Sequence, residues 1–178
     1  MLNTIVKYGA IAGVVVGGFM FATFLGFDGM PPMQYGMWIG YATMLVALSA
    51  VFVGIKRHRD VDRGGVIGFW PALGVGVGIS FVAGVFYVVA WEALQAVMHM
   101  DFATAYSSAM VERARAGGAS AEALAKMRAE MDAFKLQYAD PMFRLPMTFV
   151  EIFPVGVLVS LVSAALLRNP RFLPARRP

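Results

Sequence analysis

Two glutamates stand in apolar stretches of this chain, and their carboxyl groups are the side chains best suited to chemistry. Glu92 lies in YVVAWEALQAV and Glu151 lies in MTFVEIFPVG. A charged carboxylate at the centre of a bilayer costs roughly 2.5–3.5 kcal/mol, so such acids usually face a partner or a water-filled cavity. Arg144 can pair with either acid, and His99 is predicted on the same side of the membrane. These four residues make up the candidate intramembrane acidic site.

Two prolines flank Glu151 in the sequence. Pro154 has no N–H and leaves the carbonyl of Val150 without its helical partner, and Pro146 does the same to Met142. The helix is therefore predicted to be kinked at Pro146 and Pro154. Interrupted helices at membrane depth are tolerated where they line a cavity or pack inside protein, and they often mark ion or substrate sites.

Three hypotheses for the acids remain open. In the first, Glu151 is a structural group that holds two membrane helices together. In the second, Glu92 and Glu151 form a proton or cation site. In the third, the acids and His99 hold a metal or support hydrolysis. The third has the least support, because the sequence contains no H-x-x-x-H pair, no G-x-S-x-G and no phosphate-binding loop. No metal, cofactor or catalytic residue is predicted, and an enzyme is the less favoured class.

Composition indicates where these acids lie. The chain of 178 residues is 59% hydrophobic and 15% charged, whereas soluble domains are roughly 45–50% apolar and about 25% charged. The excess of apolar residues predicts contact with lipid. The chain has no cysteine, which excludes disulfides and thiolate metal sites. A net charge of +4 would suggest nucleic acid as a partner of a soluble protein. Here the basic residues stand beside the predicted membrane spans, so no nucleic-acid partner is predicted.

Four stretches are long enough to cross a bilayer core, which takes roughly 20 apolar residues. The predicted spans are residues 5–27, 35–55, 73–97 and 142–167. The predicted fold is an all-α membrane protein, a single domain over residues 1–178 with four transmembrane helices.

Basic residues near the helix ends predict the orientation. Residues 56–70 are predicted to form a cytoplasmic loop, in which His58 is solvated and the basic side chains face lipid headgroups. Those basic residues are Lys56, Arg57, Arg59 and Arg63. The tail 168–178 is also basic, so both termini are predicted in the cytoplasm, at the bacterial cytoplasmic membrane. A phosphate site in this loop is an alternative, but a turn explains its glycine pair Gly64–Gly65.

Residues 101–140 are polar, and they predict an extracytoplasmic antiparallel helical hairpin between the third and fourth spans. The pair Gly117–Gly118 ends the first helix, and Ser120 caps the second. An apolar seam follows the second helix at Leu124, Met127, Met131, Phe134 and Tyr138.

The role of the hairpin is open. Three roles are compatible with the sequence: the hairpin stiffens the bundle, it binds a protein partner or a second copy of the chain, or it covers a membrane site as a lid. No glycine or proline stands between Gly84 and Ala116, which favours a third span that continues out of the membrane as one long helix.

Small residues recur every fourth position in each span. Such ridges let helix backbones approach closely, either inside one bundle or in a homodimer formed mainly by the first helix. The ridges are Gly9, Gly13 and Gly17; Gly36 and Gly40; Gly76, Ser80 and Gly84; and Gly156, Ser160 and Ala164.

Five segments carry a family resemblance: YGAIAGVVVG, ALSAVFVGIKRHRD, GGVIGFWPALGVGVGIS, YVVAWE and FRLPMTFVEIFPVGVLVSLVSAALLR. Together they resemble the bacterial family catalogued as domain of unknown function forty-one ninety-nine, over nearly the whole chain. The resemblance implies a small four-span membrane protein and implies no activity. The favoured interpretation is a non-enzymatic accessory protein that binds a partner. The alternative is a small proton- or cation-coupled transporter or channel that uses Glu92 and Glu151.

Overall fold

The structure, a computed structural model, describes residues 1–175, without the side chains of Met33 and Gln34. Arg176 and Arg177 of the predicted basic tail therefore lie outside the described residues. Within this range the chain contains six α-helices, a π-helical turn and no strand. The helices are α1 (Leu2–Gly26), α2 (Met33–Arg57), α3 (Phe69–Val97), α4 (Phe102–Ala116), α5 (Ala121–Tyr138) and α6 (Pro141–Leu167), and the π-helical turn is His58–Asp62.

Four of these helices, α1, α2 with its π-helical turn, α3 and α6, are long and apolar enough to cross a membrane. No more than 44% of the most apolar segment of each is buried by the rest of the protein. The side chains left on the outside are themselves large and apolar, among them Val14, Leu45, Val89 and Leu158. A water-soluble bundle would present polar residues there, so this surface is suited to lipid.

Helix α3 packs against α1, α2 and α6. Gly13 and Gly17 of α1 face Phe86 and Ala90 of α3, so these two helices run in the same direction. Thr4 at the start of α1 contacts Asp62 after α2, and Arg59 contacts Leu167 at the end of α6. The start of α1, the end of α2, the start of α3 and the end of α6 therefore meet at one end of the bundle. We call it the basic end, and the opposite end, where α3 stops and α6 begins, the α4–α5 end.

The closest helix contact joins α3 to α6 through a reciprocal arrangement of glycine and serine. A Cβ atom on Gly76 would lie 2.8 Å from Cβ of Ser160, and one on Gly156 would lie 2.6 Å from Cβ of Ser80. The Ser80 and Ser160 hydroxyls are 3.2 Å apart. The small-residue ridges of α3 and α6 therefore pack inside the bundle, and the ridge of α1 is covered by α3. A homodimer through glycine ridges stays a prediction.

The third span does not continue outward as one long helix, and that prediction is wrong. Helix α3 ends at Val97, and His99 has a positive φ of 48°. Asp101 then begins a new helix, because its carboxylate accepts the N–H of Thr104 at 3.0 Å. A side-chain cap of this kind ends one helix and starts another without a glycine or proline. Ser120 caps α5 as predicted, accepting the N–H of Ala123.

The basic segment after the second span also differs from its prediction. Helix α2 does not end at residue 55 but continues through Lys56 and Arg57 into the π-helical turn. Residues 56–62 are consequently helical rather than a loop. His58, predicted to be solvated, is 3% exposed, and its Nδ1 lies 2.6 Å from a carboxylate oxygen of Asp62.

Arg59 is not lipid-facing, because its side chain is fully buried at the basic end. Its guanidinium donates to the carbonyls of Leu167 at 3.4 Å, Phe172 at 2.9 Å and Leu173 at 2.5 Å, and to Asp60 at 2.7 Å. The last carbonyls of a helix have no helical partner, and a five-donor guanidinium satisfies several at once. Leu167 is the last residue of α6, whereas Phe172 and Leu173 lie in the segment after it, so the buried arginine joins this segment to the end of the helix.

Candidate functional site

An ion pair between Glu92 and Arg144 joins α3 to α6 near the α4–α5 end. The guanidinium binds in the bidentate geometry, with Nε 2.7 Å from one carboxylate oxygen and Nη2 2.7 Å from the other. Its third nitrogen donates to the carbonyl of Tyr138 at 3.1 Å. The side chains are 33% and 20% exposed. The pair therefore neutralises Glu92 and fastens the end of α5 to α6.

Aromatic side chains extend this cluster from the bundle to α4 and α5. The indole N–H of Trp91 donates to the Tyr138 hydroxyl at 2.7 Å. The Trp91 ring packs edge-on against Phe24 of α1 and Phe102 of α4, with centroid distances of 5.7 and 4.9 Å. Burial raises the pKa of Tyr138 above its ordinary value, so the phenol is protonated at neutral pH. The cluster thus connects five helices, α1, α3, α4, α5 and α6, through neutral groups and one ion pair.

Glu151 lies about two helical turns beyond Arg144 along α6, further from the α4–α5 end. One of its carboxylate oxygens accepts the hydroxyl of Tyr87, on α3, at 3.0 Å. No ion pair to Glu151 is present in the described part of the chain. At 1.5 Å per residue the carboxyl group is about 15 Å from the start of α6 at Pro141. The residue is exposed on the outside of the bundle.

The structure therefore separates the predicted acidic site into two parts. Arg144 pairs with Glu92 rather than Glu151, and the two acids have different partners. His99 is exposed in the link between α3 and α4 and makes no hydrogen bond to either acid within residues 1–175. No cluster of His, Cys, Asp and Glu suited to a metal ion is found among the described residues.

Helix α6 passes through Pro146 and Pro154 as one helix. The kinks predicted at these prolines stay predictions. Near the first of them, the Thr148 hydroxyl donates to the carbonyl of Arg144 at 3.0 Å. This is the usual bond of a helical threonine to the carbonyl four residues before it, and it does not reach the Met142 carbonyl that Pro146 leaves without a donor.

Sequence reasoning missed the partners Tyr87 and Trp91. Tyr87 lies on the same α3 face as Ala83 and Trp91, four residues away on either side, and all three are buried. That spacing places Tyr87 on the buried face of α3, where a tyrosine hydroxyl usually needs a hydrogen-bond partner. Trp91 stands near a helix end, which is typical of an indole at the headgroups. It is instead 8% exposed, because Tyr138 and Phe102 cover it.

The four long helices and their apolar outer surface define an α-helical membrane protein. The chain matches the family model described as Protein of unknown function (DUF4199) over residues 7–169. It belongs to this family. Neither a curated protein nor a solved structure matches the chain at a significant level.

Removing the guanidinium of Arg144 is expected to destabilise the protein. Arg144→Met leaves the Glu92 carboxylate unpaired in a half-buried position, which we expect to cost about 1–3 kcal/mol, less than for a fully buried pair. Arg144→Met combined with Glu92→Gln should recover most of that loss. Unfolding in neutral detergent measures both variants.

The matched control for this prediction is Arg115→Met, which breaks an ion pair to Glu112 between side chains that are 53% and 69% exposed. Exposed pairs contribute about 0–1 kcal/mol. Equal destabilisation by the two single variants would contradict the fastening role of Arg144.

Proposed function

We propose that this protein is a non-enzymatic accessory protein of the bacterial cytoplasmic membrane that binds a protein partner through α4 and α5. Four helices cross the membrane, both termini are cytoplasmic, and α4 and α5 form an extracytoplasmic antiparallel hairpin. Support for this orientation comes from Lys56, Arg57 and Arg63, which stand at the basic end, because basic residues favour the cytoplasmic side. Pairing of Phe102 with Tyr138 and of Tyr106 with Phe134 supports the antiparallel arrangement.

The hairpin is attached to the bundle where α4 begins and where α5 ends. Trp91 binds the hydroxyl of Tyr138, and Arg144 binds its carbonyl, so the end of α5 has two polar attachments. Phe102 attaches the start of α4 to the same tryptophan. These contacts fix the first turn of α4 and the last turn of α5, and a surface that is ordered before binding loses less conformational entropy when a partner docks.

A groove between α4 and α5 carries the proposal. It encloses about 360 Å³. Ser107 lines it, is 2% exposed, and its hydroxyl has no hydrogen-bond partner in the part of the chain that the structure describes. A buried polar group without a partner costs about 1–3 kcal/mol. The oxygen is itself buried, so a polar atom of a docked partner would remove that cost only if the serine side chain rotates toward the groove.

The other groove residues match a polypeptide partner rather than a small apolar ligand. Val111 and Met131 supply apolar contacts, and Arg128 and Lys135 supply donors. Lys135 also binds Asp132 at 2.8 Å. Methionine adapts its shape to irregular surfaces. This mixture suits an amphipathic helix laid along the groove.

Site-specific photocrosslinking tests the proposal in native membranes. A photoreactive amino acid replaces Ser108, which is exposed and lines the groove, and in a separate variant Ala133, which is exposed on α5 outside the groove. We expect one discrete protein adduct from position 108, weakened by Arg128→Ala, and none from position 133. The same adducts from both positions, or adducts to lipid alone, would contradict a partner in the groove.

Proton or cation transport is a second candidate, favoured by Glu151, whose carboxyl group has a single tyrosine hydroxyl as partner. A carboxyl group on a lipid-facing surface is costly when charged, which suits a group that exchanges a proton. Reconstituted protein with a trapped pH dye and an imposed potential tests this role. Proton entry that is lost in Glu151→Gln and kept in Glu112→Gln would favour transport, and entry no faster than into empty liposomes would exclude proton conduction.

A further inference from the structure

A second cavity opens at the basic end, between the start of α1 and the end of α2. It encloses about 290 Å³, at the lower limit of the roughly 300–1,000 Å³ of small-molecule sites. A group the size of a lipid headgroup fits such a space better than a larger ligand. Among its lining residues are Asn3, Thr4, Lys7 and Tyr8 from α1, and Arg57 and Asp62 from the end of α2 and its π-helical turn.

Two cations in this cavity have no carboxylate of their own. Neither Lys7 nor Arg57 forms an ion pair within residues 1–175, whereas the neighbouring Lys56 binds Asp60. The acid in the cavity, Asp62, is already engaged by other groups. One of its oxygens lies 2.6 Å from His58 Nδ1 and accepts the Thr4 hydroxyl at 3.4 Å. The cavity therefore presents positive charge to an incoming anion.

The apolar surroundings point to the source of that anion. Exposed aliphatic side chains stand beside the two cations in the sequence, Val6 before Lys7 and Val53 one turn before Arg57, and each is 50% exposed. Leu2 is 73% exposed. A free phosphate ion has no use for such a surface, but the acyl chains of a lipid do.

The position along the helices fits the same ligand. Helix α1 has 25 residues, which at 1.5 Å per residue is about 37 Å, more than the roughly 30 Å of a bilayer core. Arg57 is the last residue of α2, and Lys7 lies about 8 Å from the start of α1. Both cations therefore stand at the boundary of the core, where lipid phosphates lie.

We propose that this cavity binds the phosphate group of an anionic phospholipid, held by Lys7 and Arg57, with the acyl chains lying against Val6 and Val53. Arg and Lys are the side chains that bind phosphate best, and basic clusters at the cytoplasmic face recognise anionic headgroups. This inference uses one part of the proposed function, namely that the four long helices cross a membrane. It does not involve the α4–α5 groove, so the two can fail separately.

Native mass spectrometry of the full chain in neutral detergent tests the site, with dioleoyl phosphatidylglycerol as the probe and dioleoyl phosphatidylcholine as the uncharged comparison. We expect tighter binding of the phosphatidylglycerol. Each cation near an anionic lipid contributes about a factor of five, so Lys7→Gln combined with Arg57→Gln should weaken that binding roughly 25-fold. Lys7→Arg combined with Arg57→Lys should keep it.

Lys126→Gln combined with Arg113→Gln is the control, because it removes two exposed cations from α4 and α5. An equal loss of binding in this control would show non-specific charge attraction and overturn the site. Unchanged binding in the Lys7 and Arg57 double variant would also overturn it. Displacement of the lipid by millimolar inorganic phosphate would assign the cavity to free phosphate and overturn the assignment to lipid. Lys7 and Arg57 are both exposed, so we expect these variants to fold, and unchanged unfolding temperatures check this.

Discussion

Replacement of Arg59 by methionine is expected to destabilise the basic end of the bundle by about 3–5 kcal/mol, the range for breaking a fully buried polar pair. The substitution keeps most of the side-chain volume but removes every donor. The carbonyls of Leu167, Phe172 and Leu173 and the carboxylate of Asp60 each lose a hydrogen bond. Equilibrium unfolding in detergent gives the change in free energy.

Two comparison variants make this result specific. Arg57→Met removes the same charge from an exposed position two residues earlier, and we expect a change of less than about 0.5 kcal/mol. Arg59→Lys should recover little stability, because one ammonium group cannot reach several carbonyls in the way a planar guanidinium does.

The segment after α6 offers a second measurement. The chain has no cysteine, so Ala175→Cys introduces a single thiol that reports on exposure of this segment. Maleimide should label this thiol faster when Arg59 is methionine than when it is arginine. Equal labelling rates and equal stabilities would show that Arg59 does not hold the segment.

A side chain at Gly156 is expected to disrupt the contact between α3 and α6. The Cβ atom of Gly156→Val would lie 2.6 Å from Cβ of Ser80, so one helix must move. Overpacking of a tight contact costs about 1–3 kcal/mol, and we expect the upper part of that range because Ser80 is itself buried and cannot move aside. The unfolding temperature in detergent measures the effect.

Gly74→Val is the matched control, because a Cβ atom at Gly74 would have no atom within 4 Å. It should be neutral or slightly stabilising, since valine is a better helix former than glycine. Gly156→Ala should be relieved by Ser80→Gly, which moves the small residue to the other helix. A double variant no more stable than Gly156→Ala alone would contradict close packing as the cause.

Span positions could be predicted from the sequence to within a few residues. The predicted spans 73–97 and 142–167 correspond to α3 at Phe69–Val97 and α6 at Pro141–Leu167. This works because apolar length is a local property, set by the thickness of a bilayer. Caps are local too, and the hydroxyl of Ser120 caps α5 as the sequence predicts.

Partners across the bundle could not be predicted in this way. Glu92 and Arg144 are separated by 52 positions in the chain, and their pairing depends on the rotation of two helices about their axes. Small-residue ridges restrict that rotation, but several arrangements of four helices satisfy the same ridges. Which of the two glutamates pairs with Arg144 therefore depends on the three-dimensional arrangement of α3 and α6 and not on a local sequence pattern.

The burial of Arg59 was hidden for a related reason. In the sequence it stands in a run of four basic residues, Lys56 to Arg59, which is typical of a positive segment at a membrane surface. Its acceptors include the carbonyls of Phe172 and Leu173, more than one hundred positions later. No local pattern near residue 59 signals acceptors so distant.

The same separation has a consequence for biosynthesis. Arg59 is made with the second span, but its carbonyl acceptors lie at the end of the fourth span and just after it, 108 to 114 positions further along the chain. A nascent chain that has released only α1, α2 and α3 from the ribosome carries a guanidinium with no carbonyls to bind. We expect the bundle to close only when the last segment emerges, so that chains terminated before residue 168 remain open and become substrates for membrane proteolysis.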